Sequence, residues 1–343
     1  MPFFSVVIAT RNRPLLFAQA LDSVLAQSCS DIEIIVVNDG SAIEHQTAYQ
    51  SVIGTADAAN RIRYFSLIAR PKGHGQSFAL NYAAERATAP YLCFLDDDDS
   101  WIDPNHIARA HAVITSSEPP ADLYFANQAA FLNNEEQPGP IWIDDLPVIL
   151  ARLGRRSDQH GAHTVTIQEL LRSHGFCHLN TLIVRRALYE EIGGMEETIR
   201  WECDHDLYFR LIDRARTIKY MPVIVARHNI PDPAKAASMT TSLSEIERRF
   251  FQLMVFYRAQ YLCRHSAIRA HARRHAAFTL KRISETFAST GSQAEAAFYA
   301  REALLNGLTI KWALYTAWRV FRAVVGVSSN WICPRRRVGK RLN

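Results

Sequence analysis

The chain has 343 residues, 48% of them hydrophobic and 21% charged, a mixture that supports ordinary apolar cores and excludes a disordered or collagen-like chain and a small stapled scaffold. Its six cysteines are scattered with no C-x-x-C pair, which excludes a zinc knuckle or redox dithiol and predicts a reducing, cytoplasmic setting. The net charge of +5 is unevenly spread, because residues 258–343 hold 16 Lys/Arg against only Glu285, Glu295 and Glu302.

Ser5-Val-Val-Ile-Ala9 reads as a strand, and no run of about 18 uncharged apolar residues follows anywhere, so the expectation is a chain neither exported nor transmembrane. From Arg13 to Gln27, apolar residues at 16, 17, 20, 21, 24 and 25 form one helical face. Ile32 to Val37 predicts a buried parallel strand ending in an Asn38-Asp-Gly-Ser41 turn. Arg61 to Phe65 predicts a third strand, Gln76 to Ala87 a helix, and Tyr91 to Leu95 a fourth strand that runs into four aspartates. Strands alternating with helices imply parallel crossovers, hence an α/β fold with helices flanking a mostly parallel sheet.

Beyond Trp101 five prolines between 119 and 147 mark loops among short elements. Regularity returns with a strand at 180–184, a helix at 186–192, a Gly193-Gly194 break and a helix from Asp204 to Ala215. Two short apolar segments surround Ile218 and Val223, and from Ser244 the pattern is helical only. The expected division is a catalytic domain at 1–240 and an all-helical region with a basic tail at 241–343.

Asp96-Asp97-Asp98-Asp99 stands at a strand's carboxyl end, where open α/β sheets bind ligands. Taken alone such a run is also a solvated, helix-capping turn. Placed straight after a hydrophobic strand, it points to Mg²⁺ or Mn²⁺ held by hard oxygen ligands together with a substrate's phosphates. Asp39 has the same placement on the second strand, and Thr10, Arg11 and Asn12 on the first, so these residues would line a nucleotide cleft; an ordinary Asn-Asp-Gly turn is the plainer use of Asp39. Gly73-His-Gly75 lacks the third glycine of a dinucleotide fingerprint and no P-loop occurs, which leaves a loop with Arg70 and Lys72 near a diphosphate.

Four segments in order, Ser5 to Arg13, Ile34 to Ser41, Tyr91 to Asp99 with Trp101, and Ile192-Gly-Gly-Met195 leading to Asp204-His-Asp-Leu207, resemble the family 2 glycosyltransferases and their GT-A fold. The resemblance covers residues 3–225. It implies base contact by Asp39, donor and diphosphate contacts by Asp96 and Asp97, metal ligation by Asp98 with His228 as a further ligand, and Asp204 as catalytic base. Asp204 is also a favoured helix N-cap residue. Where the family has Glu before that Asp, this chain has Cys203. The resemblance implies an inverting transfer from a UDP- or dTDP-sugar to a saccharide, lipid-linked or other hydroxyl acceptor in cell-surface polysaccharide or glycoconjugate assembly. A nucleotidyltransferase on a related fold and a catalytically silent scaffold are the alternatives.

Residues 303–343 carry eight Lys/Arg and no acid. On a helix, Lys311, Tyr315, Arg319 and Arg322 fall on one side and Leu314, Ala317, Phe321, Val324 and Val325 on another, as in a helix lying on an anionic membrane surface. Packing of that apolar side on the catalytic domain is the other expectation. No nucleic-acid-binding module accompanies the charge. The chain is thus expected in the cytoplasm, peripheral on the inner face of the membrane.

Overall fold

A computed structural model describes residues 1–56, 61–137, 142–230 and 243–332, with side chains to 325. Four strands, β1 (Phe4–Thr10), β2 (Ile32–Asn38), β3 (Ile62–Ser66) and β4 (Tyr91–Phe94), pair in parallel. Helices α1 (Pro14–Leu25), α2 (Ile43–Ala56) and α3 (Gln76–Ala84) join them. Because parallel strands cannot be linked by tight turns, each connection crosses a face of the sheet. The order β3-β2-β1-β4 places a reversal between β1 and β4, and at such a switch point the connections leave in opposite directions and open a crevice.

The sheet continues β4-β9-β6-β10-β5, with β5 (Ser100–Trp101), β6 (Leu123–Leu132), β9 (Leu182–Arg185) and β10 (Ile218–Asn229). β9 runs antiparallel to both β4 and β6, while β10 is parallel to β6. The antiparallel strand therefore brings its leading end to the edge where β1, β2, β4, β6 and β10 finish. Short strands β7 (Glu135–Glu136) and β8 (His163–Thr164) pair with β6 and β10.

Alternation along the strands divides the core. Phe4, Val6 and Ile8 of β1 face α1 (Phe17, Leu21, Val24), Tyr49 of α2 and α4 (His106–Thr115), whereas Val7, Ile35 and Val37 face α3 and the later helices. Each such fully buried aliphatic or aromatic side chain contributes about 1.5–3 kcal/mol. On the second face lie α5 (Leu146–Arg152), α6 (Ile167–Leu170), α7 (Arg186–Glu191) and α8 (Cys203–Arg214). Among the described residues four helices follow: α9 (Glu245–Leu262), α10 (Ser266–Ser289), α11 (Gln293–Asn306) and α12 (Ile310–Ile332). One apolar cluster runs unbroken from Val7 and Phe94 through Leu207 and Phe209 to Phe256, Ile268 and Leu280, so the terminal helices share a core with the sheet.

Three elements differ from the sequence expectation. Residues 218–229 form one strand rather than two short segments, because the exposed Pro222 sits at a register break where no ladder N–H is required. The ten-residue β6 fills part of the region read as loops, and α2 follows the Asn38 turn where no helix was expected. In α12, Trp312 and Thr316 are buried against α11 through bonds to the Ala300 carbonyl, while Leu314, Phe321, Val324 and Val325 are 46–70% exposed. The apolar side picked out in the sequence is thus the outward one; Arg335, Arg336, Arg337, Lys340 and Arg341 lie outside the described residues.

Candidate active site

Residues 96–99 turn sharply after β4, and each carboxylate is held differently. Asp99, 2% exposed, accepts from His228 Nδ1 at 2.7 Å, Asn180 Nδ2 at 2.6 Å and the Asn229 backbone N–H at 2.7 Å. Asp97 accepts from the Thr10 hydroxyl at 2.7 Å and Arg13 at 3.3 Å. Asp98, with a 31% exposed side chain, meets Arg13 Nη1 at 2.8 Å, and Asp96 Oδ1 accepts from Gln76 Nε2 at 2.6 Å.

Crowding sets the protonation preferences. Burial, then the charges of Asp99 and Asp98, raise the Asp96 pKa, and burial with Asp98 lifts Asp97 to about 6 against the pull of Arg13. Burial followed by Asp99 likewise raises Asp98. Asp99 goes the other way: burial opposes its charge, but the His228 bond and charge outweigh it. Burial disfavours the His228 cation too, yet Asp99, Asp96 and Asp98 raise its pKa.

Asp204 stands in the first turn of α8, its side chain 14% exposed and Oδ1 accepting the His205 backbone N–H at 2.9 Å. Burial raises its pKa to about 6, the range in which a carboxylate works as a general base near neutrality. Cys203, in the place of the family's Glu, is buried, and burial pushes its thiol up to about 12, so it supplies no charge. Glu202, at φ 57°, turns its carboxylate toward His205 and Gln252. The neighbouring Asp206 is structural: 1% exposed, it pairs with Arg210 and Arg258 at 2.8 Å each.

On the donor side, Asp39 accepts the backbone N–H groups of His74 and Gly75 at 2.7 and 2.9 Å. Gly73, at φ +67°, is required there because a Cβ would run into the Asp39 carboxylate. Arg11 Nη2 donates to the carbonyls of Arg70 and Pro71, which ties β1 to the loop on which Arg70 and Lys72 stand exposed. Asn12, at φ 57°, bonds Ser41 Oγ and the Ala42 N–H. Thr10 is 3% exposed, and its hydroxyl is engaged by Asp97 and Tyr49, so it acts on the cleft through Asp97.

The donor set suits a hard divalent cation: several carboxylates raised by burial and by one another's charge, one of them partly open to solvent, and an imidazole whose Nδ1 meets a carboxylate. Among the described residues, the group of three or more His, Cys, Asp or Glu with ligand atoms within 4.8 Å of one another is Asp144, Asp145 and His174, away from the Asp96–Asp99 turn. Asp98 and His228 lie at the same end of the cleft but are not part of that group.

Sequence reasoning missed Asn180, Gln76 and His178. Asn180 fastens the turn, accepting the Asp96 N–H, donating to Asp99 and presenting its own carbonyl to Trp101 Nε1. Gln76 opens α3 directly after Gly73-His-Gly75, and His178 lies just ahead of β9; antiparallel entry, invisible in hydropathy, is what delivers the latter to the cleft. Asn81 is a further case, bonding the 195–197 loop where a Cβ on Gly194, at φ +66°, would approach it to 2.5 Å.

This arrangement, an acidic turn, the loop held by Asp39 and a helix-borne carboxylate around a switch point, is that of a glycosyltransferase of the GT-A type. Residues 5–193 match Glycosyl transferase family 2, over half of the chain, and the chain belongs to that family of enzymes. It is similar to a PGL/p-HBAD biosynthesis glycosyltransferase of Mycobacterium bovis, 28% identical over 233 residues, spanning 66% of this chain and 77% of that protein. An uncharacterized glycosyltransferase of Rickettsia typhi is 24% identical over 246 residues, 72% and 69% of the two chains. S. aureus TarS residues 1–349 in complex with UDP-GlcNAc share the fold, with a TM-score of 0.65 at 16% identity over 89% of this chain and 81% of that one. The mannosyltransferase PcManGT from Pyrobaculum calidifontis in complex with GDP-Man and Mn²⁺ gives a TM-score of 0.55 at 18% identity, covering 96% and 87%.

Proposed function

We propose that the protein transfers a sugar, with inversion, from a UDP- or dTDP-sugar to an acceptor hydroxyl in cell-surface polysaccharide or glycoconjugate assembly. The observation that carries this reading is Asp204, a buried carboxylate with its pKa lifted to about 6, placed across the cleft from the acidic turn after β4. Asp39 and the Arg11-held loop bind the nucleotide, and Arg70, Lys72 and Arg13 offset diphosphate charge. Asp96 and Asp97 shape the donor side. Asp98 and His228 would hold Mg²⁺ or Mn²⁺, and such an ion would supply Lewis-acid stabilisation of the diphosphate's charge. Asp204 takes the proton of the acceptor hydroxyl as its oxygen attacks the anomeric carbon, an attack from the face opposite the leaving group that inverts the centre.

The outward apolar side of α12 supports an acceptor, saccharide or lipid-linked, met at an anionic membrane surface. Among the described residues, no helix is long and apolar enough to cross a membrane. Incubation with a panel of nucleotide sugars tests the central reading. Release of nucleoside diphosphate and a product of inverted anomeric configuration by NMR are expected; pyrophosphate release points to nucleotidyl transfer, and no release to a silent scaffold.

A further inference from the structure

The side chain of His178 lies between the two halves of the cleft and has no part in the mechanism above. It is 11% exposed, packed edge-on against Trp142 at 5.3 Å and beside His228 at 4.9 Å between ring centres. Its Nδ1 accepts the Asn180 backbone N–H at 3.3 Å. An imidazole nitrogen that accepts carries no proton, so the neutral ring holds its hydrogen on Nε2. Nε2 lies 3.8 Å from Asp204 Oδ2 and 3.9 Å from Asp96 Oδ2. Asp204 is meanwhile held by nearby backbone N–H groups, with Oδ1 accepting that of His205.

We propose that His178 is a positioning residue that directs its Nε2–H onto Asp204 Oδ2 and so sets the orientation in which that carboxylate meets the acceptor hydroxyl. The inference rests on the reading of Asp204 as base. A carboxylate held by nearby backbone N–H groups still rotates about its Cβ–Cγ bond, whereas a further donor on Oδ2 leaves one plane. Each oxygen keeps a lone pair for the incoming hydroxyl, so the restraint does not block the base. At 3.8 Å the contact is longer than a hydrogen bond, and catalytic hydrogen bonds are often long in the absence of substrate and tighten in the reacting complex. Asn180 links this restraint to the donor side, because the residue that fixes the His178 tautomer also holds Asp96 and Asp99.

Two measurements on the full chain decide it. Long-range ¹H–¹⁵N spectra of histidine-labelled protein, with His178 assigned by its loss in His178→Gln, are expected to show the neutral Nε2–H tautomer at pH 7 and a shifted Nε2 resonance in Asp204→Asn. An Nδ1–H tautomer, or a resonance indifferent to Asp204→Asn, overturns the proposal. In the second, UDP- and dTDP-sugars serve as donors and nucleoside diphosphate release is followed. His178→Phe is expected to lower kcat about 10- to 100-fold, the size of a misoriented catalytic group, with UDP–Mn²⁺ affinity unchanged. His178→Gln, whose amide N–H reaches the same place, restores most of it. An inactive Asp204→Asn with a fully active His178→Phe removes this inference alone, whereas an active Asp204→Asn removes the base reading itself. If none of these donors turns over, the spectra decide.

Discussion

Asp206 Oδ1 accepts the Nε–H of Arg258 at 2.8 Å, so the helix that presents Asp204 is fastened to α9 through a carboxylate that is 1% exposed. The terminal helices therefore set where Asp204 stands. Arg258→Met should cost about 1–2 kcal/mol, below the 3–5 of a fully buried broken pair because Arg210 still compensates Asp206 and Arg258 is partly exposed. Chemical denaturation together with turnover checks this, and loss of turnover at a temperature where the variant is still folded is the expected signature of a displaced α8.

Asp204 has a stability cost that its chemistry explains. Its pKa rises from 3.8 to about 6 on folding, so the folded protein holds the proton more tightly than the unfolded chain. Stability is therefore lost as pH climbs through that window, and the penalty is complete above about 6 and absent below about 4. At about 1.4 kcal/mol per unit it is on the order of 3 kcal/mol. Asp204→Asn should accordingly melt higher than the parent at pH 7 and no higher at pH 4, while turnover falls about 10²- to 10⁴-fold. The parent's kcat/KM should fall below pH about 6. Lower melting at pH 7 contradicts the assignment of a strained base.

Asp98 is the most solvent-open carboxylate of the acidic turn apart from its contact with Arg13. Asp98→Ala should abolish turnover and weaken the Mn²⁺-dependent part of UDP binding by at least about 10-fold, the loss seen even for an outer partner of a metal ligand. Calorimetric titrations with and without Mn²⁺ separate the two contributions, and equal binding in the variant removes Asp98 from the metal.

The elements that build the donor half of the cleft were legible because their sequence and their environment agree. Val7, Ile35 and Phe94 belong to apolar runs that end at turn residues, and residues that terminate such strands must lie at the carboxyl edge of the sheet. The acceptor half was not. β6 contains Asn127, Gln128 and three alanines, which blur the strand pattern, and it is recognisable only through its partners β9 and β10. His178 and Asn180 precede a strand instead of following one, and only the antiparallel pairing of β9 with β4 carries them to the same edge. Periodicity encodes which face is buried; it does not encode direction.

Asp39 holds two backbone N–H groups of the 73–75 loop, so its loss loosens the wall against which a base would rest. Asp39→Ala should raise the donor KM and leave kcat nearly unchanged, since base recognition is made equally in the ground and transition states. Steady-state kinetics at varied donor concentration check this, and a fall confined to kcat contradicts the role.

The last prediction concerns α12. Its inner side is spoken for by Trp312 and Thr316, whereas Leu314, Phe321, Val324 and Val325, with Trp318 at 47%, lie outward, and Arg319 and Arg322 flank them on the Trp318 ring. A charged rim around an outward apolar stripe suits the headgroup boundary of a bilayer, where apolar burial and attraction to anionic lipid act together. Sedimentation with vesicles should therefore show binding to phosphatidylserine-containing bilayers, weaker recovery in high salt through screening, and little binding to neutral ones. The double variant Leu314→Glu, Phe321→Glu leaves the Trp312 and Thr316 contacts in place and should remain folded, yet stay in the supernatant. Equal recovery of parent and variant in the supernatant under every condition would mean that this stripe does not bind lipid.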